Sequence, residues 1–458
     1  MRLQKYISTA FYIGIISFGI SSCSKDFLEP TISTDKSLED NINTVDDLNA
    51  VMLGAYERLS QTGFYGRDVI VHATTRSDDG YSNGNSGRFV SSAQFDYQAT
   101  DGDPSSMWND GYETIANTNI IINAVTSDDG SAEVNHVKGE AYAVRALAHM
   151  ELLKYFGQQW AGGTLGIPYI TEYLGDLEPA RNTITEVWTN IESDLNMARS
   201  LMSESLNDGP VRMTTYGVAA IQSRYYLYAQ KWSEAITAAE YVINSGQFSL
   251  ADAASYAGSF VGTGGSTSVF ELAYNSADNL GINGLNYIIN SANYGDVVAT
   301  QNLYDLYEIG DVRKSLFDFD VFGLGAYRCV GKYPSPTWDD NVRVARYAEV
   351  VLNYAEALFQ SGLAAAALVE LNKTTNLAGA TPFASATIDN ILLERRRELS
   401  FEGFRFHDLM RNGRSILKVD ANQTFAGTEV APGESRIAFP IPEVEMNANS
   451  NMVQNTGY

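Results

Sequence analysis

The chain has 458 residues, 31 Lys and Arg against 55 Asp and Glu, and a formal charge of −24; 45% of it is hydrophobic. With 19% of residues charged and 11% aromatic, it holds too much apolar material for intrinsic disorder and enough for a sizeable core. The acidic balance argues against a nucleic-acid surface, which needs a basic stripe to track phosphates, and favours a neutral or cationic ligand.

The N-terminus reads as an export signal. Arg2 and Lys5 give a positive start, and the apolar run from Tyr6 to Ile20 is shorter than the roughly 20 residues that span a bilayer as a helix. Ser21 and Ser22 then precede Cys23, an arrangement that resembles a bacterial lipobox. The expectation is a signal peptide over 1–22, cleaved so that Cys23 becomes the first residue and carries acyl chains; an ordinary secretory signal with an accidental Cys is the alternative. Several acyl chains anchor a protein stably without a spanning helix. Cys329 is then the one thiol left, so no disulfide can form within the chain, and its setting in Tyr-Arg-Cys-Val-Gly suits a small buried apolar residue.

Helical periodicity dominates the body of the chain. Residues 44–59 place Leu48, Val51, Met52, Ala55 and Leu59 on one face, with Thr44 or Asp46 as N-cap. The pattern recurs over 108–125, 137–156, 184–201, 216–243 and 344–371. The last two are broken by short turns at Gln230-Lys231-Trp232 and Gln360-Ser361-Gly362, so each reads as a helical hairpin. Tyr226 and Ala235 have the large and small spacing that interlocks in a tetratricopeptide-type pair. The expected fold class is therefore mainly α, a scaffold of tetratricopeptide-like hairpins with long irregular loops and little β structure.

Two regions break the periodicity, 63–106 and 258–338. Both are rich in Tyr, Asn, Asp and Gly, and long loops on a rigid scaffold are where binding residues concentrate. The chain has 27 Tyr against 20 Phe, a bias towards rings that keep one edge wet. Such loops suit sugars, whose C–H faces lie on aromatic rings while their hydroxyls need paired donors and acceptors.

The C-terminal run from Glu394 to Arg411 alternates charges, so that Glu402 with Arg405 and Arg405 with Asp408 are expected to meet at i,i+3. It reads as a structural salt-bridge network, and as a signature it strongly resembles the C-terminal motif of the SusD/RagB family of outer-membrane nutrient-binding lipoproteins. The stretches 23–30, 139–146, 155–157, 346–357, 439–449 and 454–458 extend the resemblance along the chain. Asn372-Lys-Thr-Thr departs from it by lacking an Arg after the Asn, and the region 263–337 is compact. The resemblance implies one helical body over 23–458, lipid-anchored at the cell outer membrane and facing the cell surface, which captures glycan and delivers it to a SusC-like TonB-dependent transporter.

Enzyme motifs are missing. The four His are too scattered for a zinc helix, and there is no nucleophile elbow and no phosphate loop. Asp78-Asp79 and Asp101-x-Asp103 are adjacent loop acids, whereas glycoside hydrolysis needs two carboxyls facing each other across a bond. Asp128-Asp129-Gly130 reads as a turn, with calcium binding the alternative. No catalytic residue, metal site or cofactor is expected. A binder of peptide or another nutrient in the same transport system, and a helical scaffold without sugar affinity, remain open beside the glycan reading. The candidate glycan site lies where the two loop regions converge, as the family resemblance implies. Tyr81, Tyr274, Tyr294 and Trp338 are its stacking platforms, and Arg76, Asp79, Asn83 and Asn275 its hydroxyl partners.

Overall fold

Thr44 opens the first helix because its hydroxyl accepts the Asp47 N–H at 3.2 Å while the Asp47 carboxylate accepts the Thr44 N–H at 2.9 Å. This reciprocal cap satisfies two donors that a helix start leaves unpaired. The computed structural model describes residues 42–173, 178–321 and 323–458; the expected signal peptide and Cys23 lie outside them. The main helices are α1 (Val45–Leu59), α2 (Asp68–Thr75), α3 (Gly102–Asn123), α4 (Ala132–Phe156), α5 (Ile184–Leu201), α6 (Thr215–Tyr228), α7 (Trp232–Asn244), α8 (Tyr347–Gln360), α9 (Ala364–Leu377), α10 (Ile388–Leu399) and α11 (Arg405–Arg411). The fold is mainly α, as the periodicity requires. None of the described helices is long and apolar enough to cross a membrane.

α4 is the central helix, packed by α3 and α5 on its flanks and buried along most of its length. α6 with α7 and α8 with α9 form the two hairpins read from the sequence, and α8 packs on α7 so that the hairpins stack. Ala235 is fully buried against this hairpin core and Tyr226 nearly so, since a small residue lets one helix approach the other. The second hairpin begins later than its periodicity suggests. Residues 342–346 form strand β6, paired antiparallel with β2 (Ser268–Leu272), and only then does α8 start.

Region 63–106 also holds more order than its composition suggests. α2 is buried at every one of its positions, so it shows no polar face and no helical period. After it, β1 (Gly80–Ser82) pairs with β3 (Val297–Ala299), Tyr81 lying opposite Val298. β5 (Tyr327–Arg328) and β4 (Asp318–Phe319) complete a sheet of order β1-β3-β5-β4. This sheet joins the two irregular regions.

The two expected i,i+3 pairs, Glu402 with Arg405 and Arg405 with Asp408, give way to longer-range partners, although Asp408 does meet Arg411 at i,i+3, 2.8 Å away. Arg405 bonds Asp78 at 2.7 and 2.8 Å, Glu402 bonds Arg346 at 2.6 and 2.8 Å, and Asp408 bonds Arg395 at 2.9 Å. The reason is burial: α10 and α11 lie inside the protein, where groups from other elements come within reach of their charges. Gly403, at φ +88°, turns the chain between α10 and α11, and a Cβ there would lie 3.4 Å from the Val69 carbonyl oxygen, a conformation and an approach that suit glycine. The periodicity of α8 also hides a buried polar stripe. Glu349 takes Arg224 at 2.6 Å, Asn353 takes Arg395 at 2.7 Å, and Glu356 takes Arg411.

Arg346 bridges Glu398 and Glu402, and all three are buried, so losing it leaves interior carboxylates short of a counter-charge. Arg346→Ala is expected to cost about 3–5 kcal/mol in urea unfolding. A cost below about 1 kcal/mol, the level of an exposed ion pair, would show that the network does not hold the fold together.

Candidate functional site

Ser335, Pro336, Thr337 and Trp338 form a tight turn, closed by the Trp338 N–H on the Ser335 carbonyl at 3.2 Å. Two carboxylates brace it. Asp340 Oδ1 accepts the Ser335 N–H at 2.8 Å, and Asp339 accepts the Thr337 hydroxyl at 2.8 Å. The turn leaves Trp338 at φ +63°, a conformation that bulky residues rarely adopt and that surrounding bonds must impose. The Trp338 ring is half-buried and meets Tyr287 edge to face, with centroids 5.2 Å apart.

Tyr287 sits on the short helix Leu285–Ile289, and its carbonyl accepts the Gly295 N–H at 3.3 Å, closing the loop between them. That closure returns Tyr294 over Tyr287, centroids 4.8 Å apart and planes at 70°. Tyr294 is 40% exposed. The Arg88 guanidinium, from the first irregular region, lies 4.2 Å from the Tyr294 ring centre and 3.5 Å from buried Asp296. Tyr294, Tyr287 and Trp338 thus form a continuous, partly open aromatic surface with a cation at one end.

The other expected site residues have different tasks. Arg76 is fully buried, caged by Phe95, Tyr97, Phe406 and Phe439 at 4.2 to 5.5 Å, and donates to the Ile437 carbonyl. Asp79 is buried and takes Arg396 at 2.7 Å. Neither can reach a ligand, because both face the interior where α2 and β1 meet α10 and α11. Tyr81 is buried in β1, its hydroxyl near Asn422 at 3.4 Å, so its ring is a core element and not a platform. Asn83 uses both ends of its amide on the backbone, donating to Gly295 O at 2.7 Å and accepting from Asn85 N at 2.9 Å. Asn275 is exposed but caps its own turn, accepting from Ala277 N at 2.8 Å. Tyr274 is half-buried with its hydroxyl on the Ser60 carbonyl, and it borders a notch beside Trp338.

Of the eight residues, then, Tyr294 and Trp338 lie in one aromatic surface, Tyr274 lies at its margin, and Asn83 braces the loop that carries it. Tyr287, Arg88 and Asp340 also belong there. Tyr287 is one of several loop tyrosines, and nothing in its spacing sets it apart. Burial pushes the Asp340 carboxyl up to about 6, opposed by the Ser335 N–H and by Arg343. Among the acids suggestive of hydrolysis, burial works against ionisation of Asp78, yet Arg396 and Arg405 overcome it and hold the group at about 2. Burial raises Asp79, with Arg396 opposing. The two carboxyls are joined to arginines and do not face each other across a cleft. Burial likewise pushes the Cys329 thiol up to about 12, the behaviour of an inert buried residue.

The structure is thus a helical-hairpin scaffold that presents an aromatic surface on braced loops. Two family models match the chain: one described as starch-binding and associating with the outer membrane, over residues 26–227, and the SusD family over residues 331–458. SusD-like protein P2 of Formosa agariphila is 28% identical over 214 residues, 45% of this chain and 41% of that protein. The starch-binding protein SusD of Bacteroides thetaiotaomicron is 34% identical over 143 residues, 29% of this chain and 24% of that one. The matched stretches therefore span less than half the length of either relative. A SusD superfamily protein from Bacteroides vulgatus has the same fold, with a TM-score of 0.84 at 27% identity, covering 91% of this chain and all of that one. The chain belongs to the SusD/RagB family.

Because Asp79 serves the interior, Asp79→Ala is expected to lower stability by about 3 kcal/mol in chemical unfolding. The folded fraction should keep its ligand affinity within about twofold; a large loss of affinity without loss of stability would return Asp79 to the site.

Proposed function

We propose that this protein captures glycan at the outer membrane and passes it to a SusC-like TonB-dependent transporter. The observation that carries the reading is the Tyr294, Tyr287 and Trp338 surface, carried by the middle irregular region with Arg88 of the first against Tyr294, and including a turn that sets Trp338 at positive φ. Strain of this kind persists where the surrounding bonds over-determine it, and it clusters at binding sites. Supporting it are the starch-binding description of the matching family model and the name of the Bacteroides thetaiotaomicron relative. The chemistry is binding without turnover, since Asp78 and Asp79 are committed to Arg405 and Arg396.

In this reading Cys23 carries the lipid anchor and the body from 23 to 458 works as one unit on the cell surface. The acidic surface would be repelled by anionic lipid, so a protein mate is the natural support for it. Tyr294 and Trp338 act as stacking platforms. Loss of a central ring costs on the order of 2 kcal/mol, about thirtyfold in affinity. Calorimetry of Trp338→Ala and Tyr294→Ala with a cognate oligosaccharide found on a glycan array should show that loss. Unchanged affinity in both, with circular dichroism confirming the fold, would remove the site.

The partner has its own test. Gentle detergent extraction and affinity capture of the full-length protein should recover one TonB-dependent transporter in near-equal amount. Its repeated absence would leave a free-standing binder.

A further inference from the structure

Between the start of α6 and the segment that follows α7 lies a cavity of about 350 Å³, whose lining includes Tyr216, Gln247, Phe248 and Ser266 and no charged residue. That volume exceeds the roughly 300 Å³ at which pockets begin to take small ligands, whereas the notch beside Trp338 holds about 10 Å³. Tyr216 and Phe248 meet edge to face, with centroids 5.6 Å apart and planes at 78°. Both rings are half-buried and are held in place by the protein itself. The Tyr216 hydroxyl donates to Glu204 at 3.2 Å, and Phe248 stacks on Tyr347, centroids 6.1 Å apart. The walls are tied as well. Ser249 donates its N–H to the Ser266 carbonyl at 2.9 Å, the hydroxyls of the two serines meet at 2.8 Å, and the Pro210 carbonyl accepts the Glu271 N–H at 2.8 Å. Gln247 and Ser266 are exposed, and an amide and a hydroxyl there keep capacity both to donate and to accept.

We infer that this cavity is a second carbohydrate subsite, taking an uncharged sugar ring with its C–H face on Tyr216 or Phe248 and its hydroxyls on Gln247 and Ser266. It shares no residue with the Tyr294, Tyr287 and Trp338 surface, since its two rings belong to the first hairpin and the segment after it. The inference rests on the glycan-binding reading for the class of ligand and adds a place that this reading does not use. An ion entering the cavity would lose hydration and find no counter-charge in the lining. An anion would in addition meet Glu204 beyond the Tyr216 hydroxyl. A wholly apolar ligand would strip water from amide and hydroxyl groups and return no hydrogen bond. A neutral sugar meets both demands, and because the rings and walls are already braced, little ordering is left to oppose its binding.

Calorimetry of the full mature chain with maltotriose, cellotriose, mannotriose, galactotriose and xylotriose, and with trigalacturonate as the charged arm, tests the assignment. At least one neutral trisaccharide should still bind the Trp338→Ala protein. Adding Phe248→Ala should weaken that residual binding about tenfold or more. The paired change Gln247→Ala and Ser266→Ala, at two exposed positions, should weaken it about threefold or more with an unaltered melting curve, and it carries the test alone if Phe248→Ala proves unstable. If Trp338→Ala by itself abolishes all binding, or if the residual binding ignores the cavity variants, the second subsite is overturned and the glycan-binding reading stands. Tighter binding of trigalacturonate than of any neutral probe, lost in the cavity variants, overturns the uncharged class. Absence of binding to every probe by the unaltered protein overturns both readings.

Discussion

Helix α10 carries Arg395, Arg396 and Arg397 in succession, and successive positions on a helix point about 100° apart. Buried together, they must find partners in different directions, and the fold supplies them. Arg395 reaches Asn353 on α8 and Asp408 on α11, and Arg396 reaches Asp79 and the Asp78 carbonyl at the start of β1. Glu394 and Glu398, on the same helix, take Arg313 from the middle region at 2.7 and 3.2 Å. Charges buried in this way gain little net stability over apolar packing, but each is costly if its partner is missing. The network therefore acts as a condition of assembly: the N-terminal loops, the middle region and the second hairpin are all required at α10 at once.

That requirement explains what is legible in the sequence and what is not. Helices with a wet face and a dry face, such as α1 and α5, are plain from their apolar spacing, and the Thr44 cap is visible as a Thr with an acid three residues on. α2 is not, because burial on all sides erases the period. The charged C-terminal run is recognisable as a network, yet spacing alone misassigns Glu402 and Arg405: on an exposed helix the nearest charge lies a turn away, whereas buried Arg405 meets Asp78, 327 residues distant. Arg76 and Asp79 mislead for the same reason. A charged residue in a Gly- and Ser-rich stretch looks solvent-facing, and only the long-range packing of α10 and α11 shows these two to be interior.

Within the site, composition points correctly to the two irregular regions as the source of loop aromatics but cannot rank the rings. What separates Trp338 and Tyr294 from Tyr81 is the pairing of β1 with β3: all three residues of β1 are buried, whereas Tyr294 and Trp338 lie in the loops that precede β3 and β6. The Asp pair after Trp338 has a local task, bracing the turn. A single short segment, 335–340, thus fixes the backbone strain, the orientation of the indole and the polarity of the notch beside it.

The separation along the chain of the paired charges also sets an order of events. Asp79 and Arg396 are 317 residues apart, and at roughly 5–20 residues per second a ribosome needs roughly 15–60 s to make the second after the first. Throughout that interval Asp78 and Asp79 have no cation to meet, so β1 and the loops around it cannot be buried without stranding two carboxylates in the interior. Early closure of the N-terminal half is thereby disfavoured until α10 has been made. Completion of the molecule is timed by its C-terminal stretch from α10 onward, which makes C-terminal truncation a block to maturation and not a trimming of the surface.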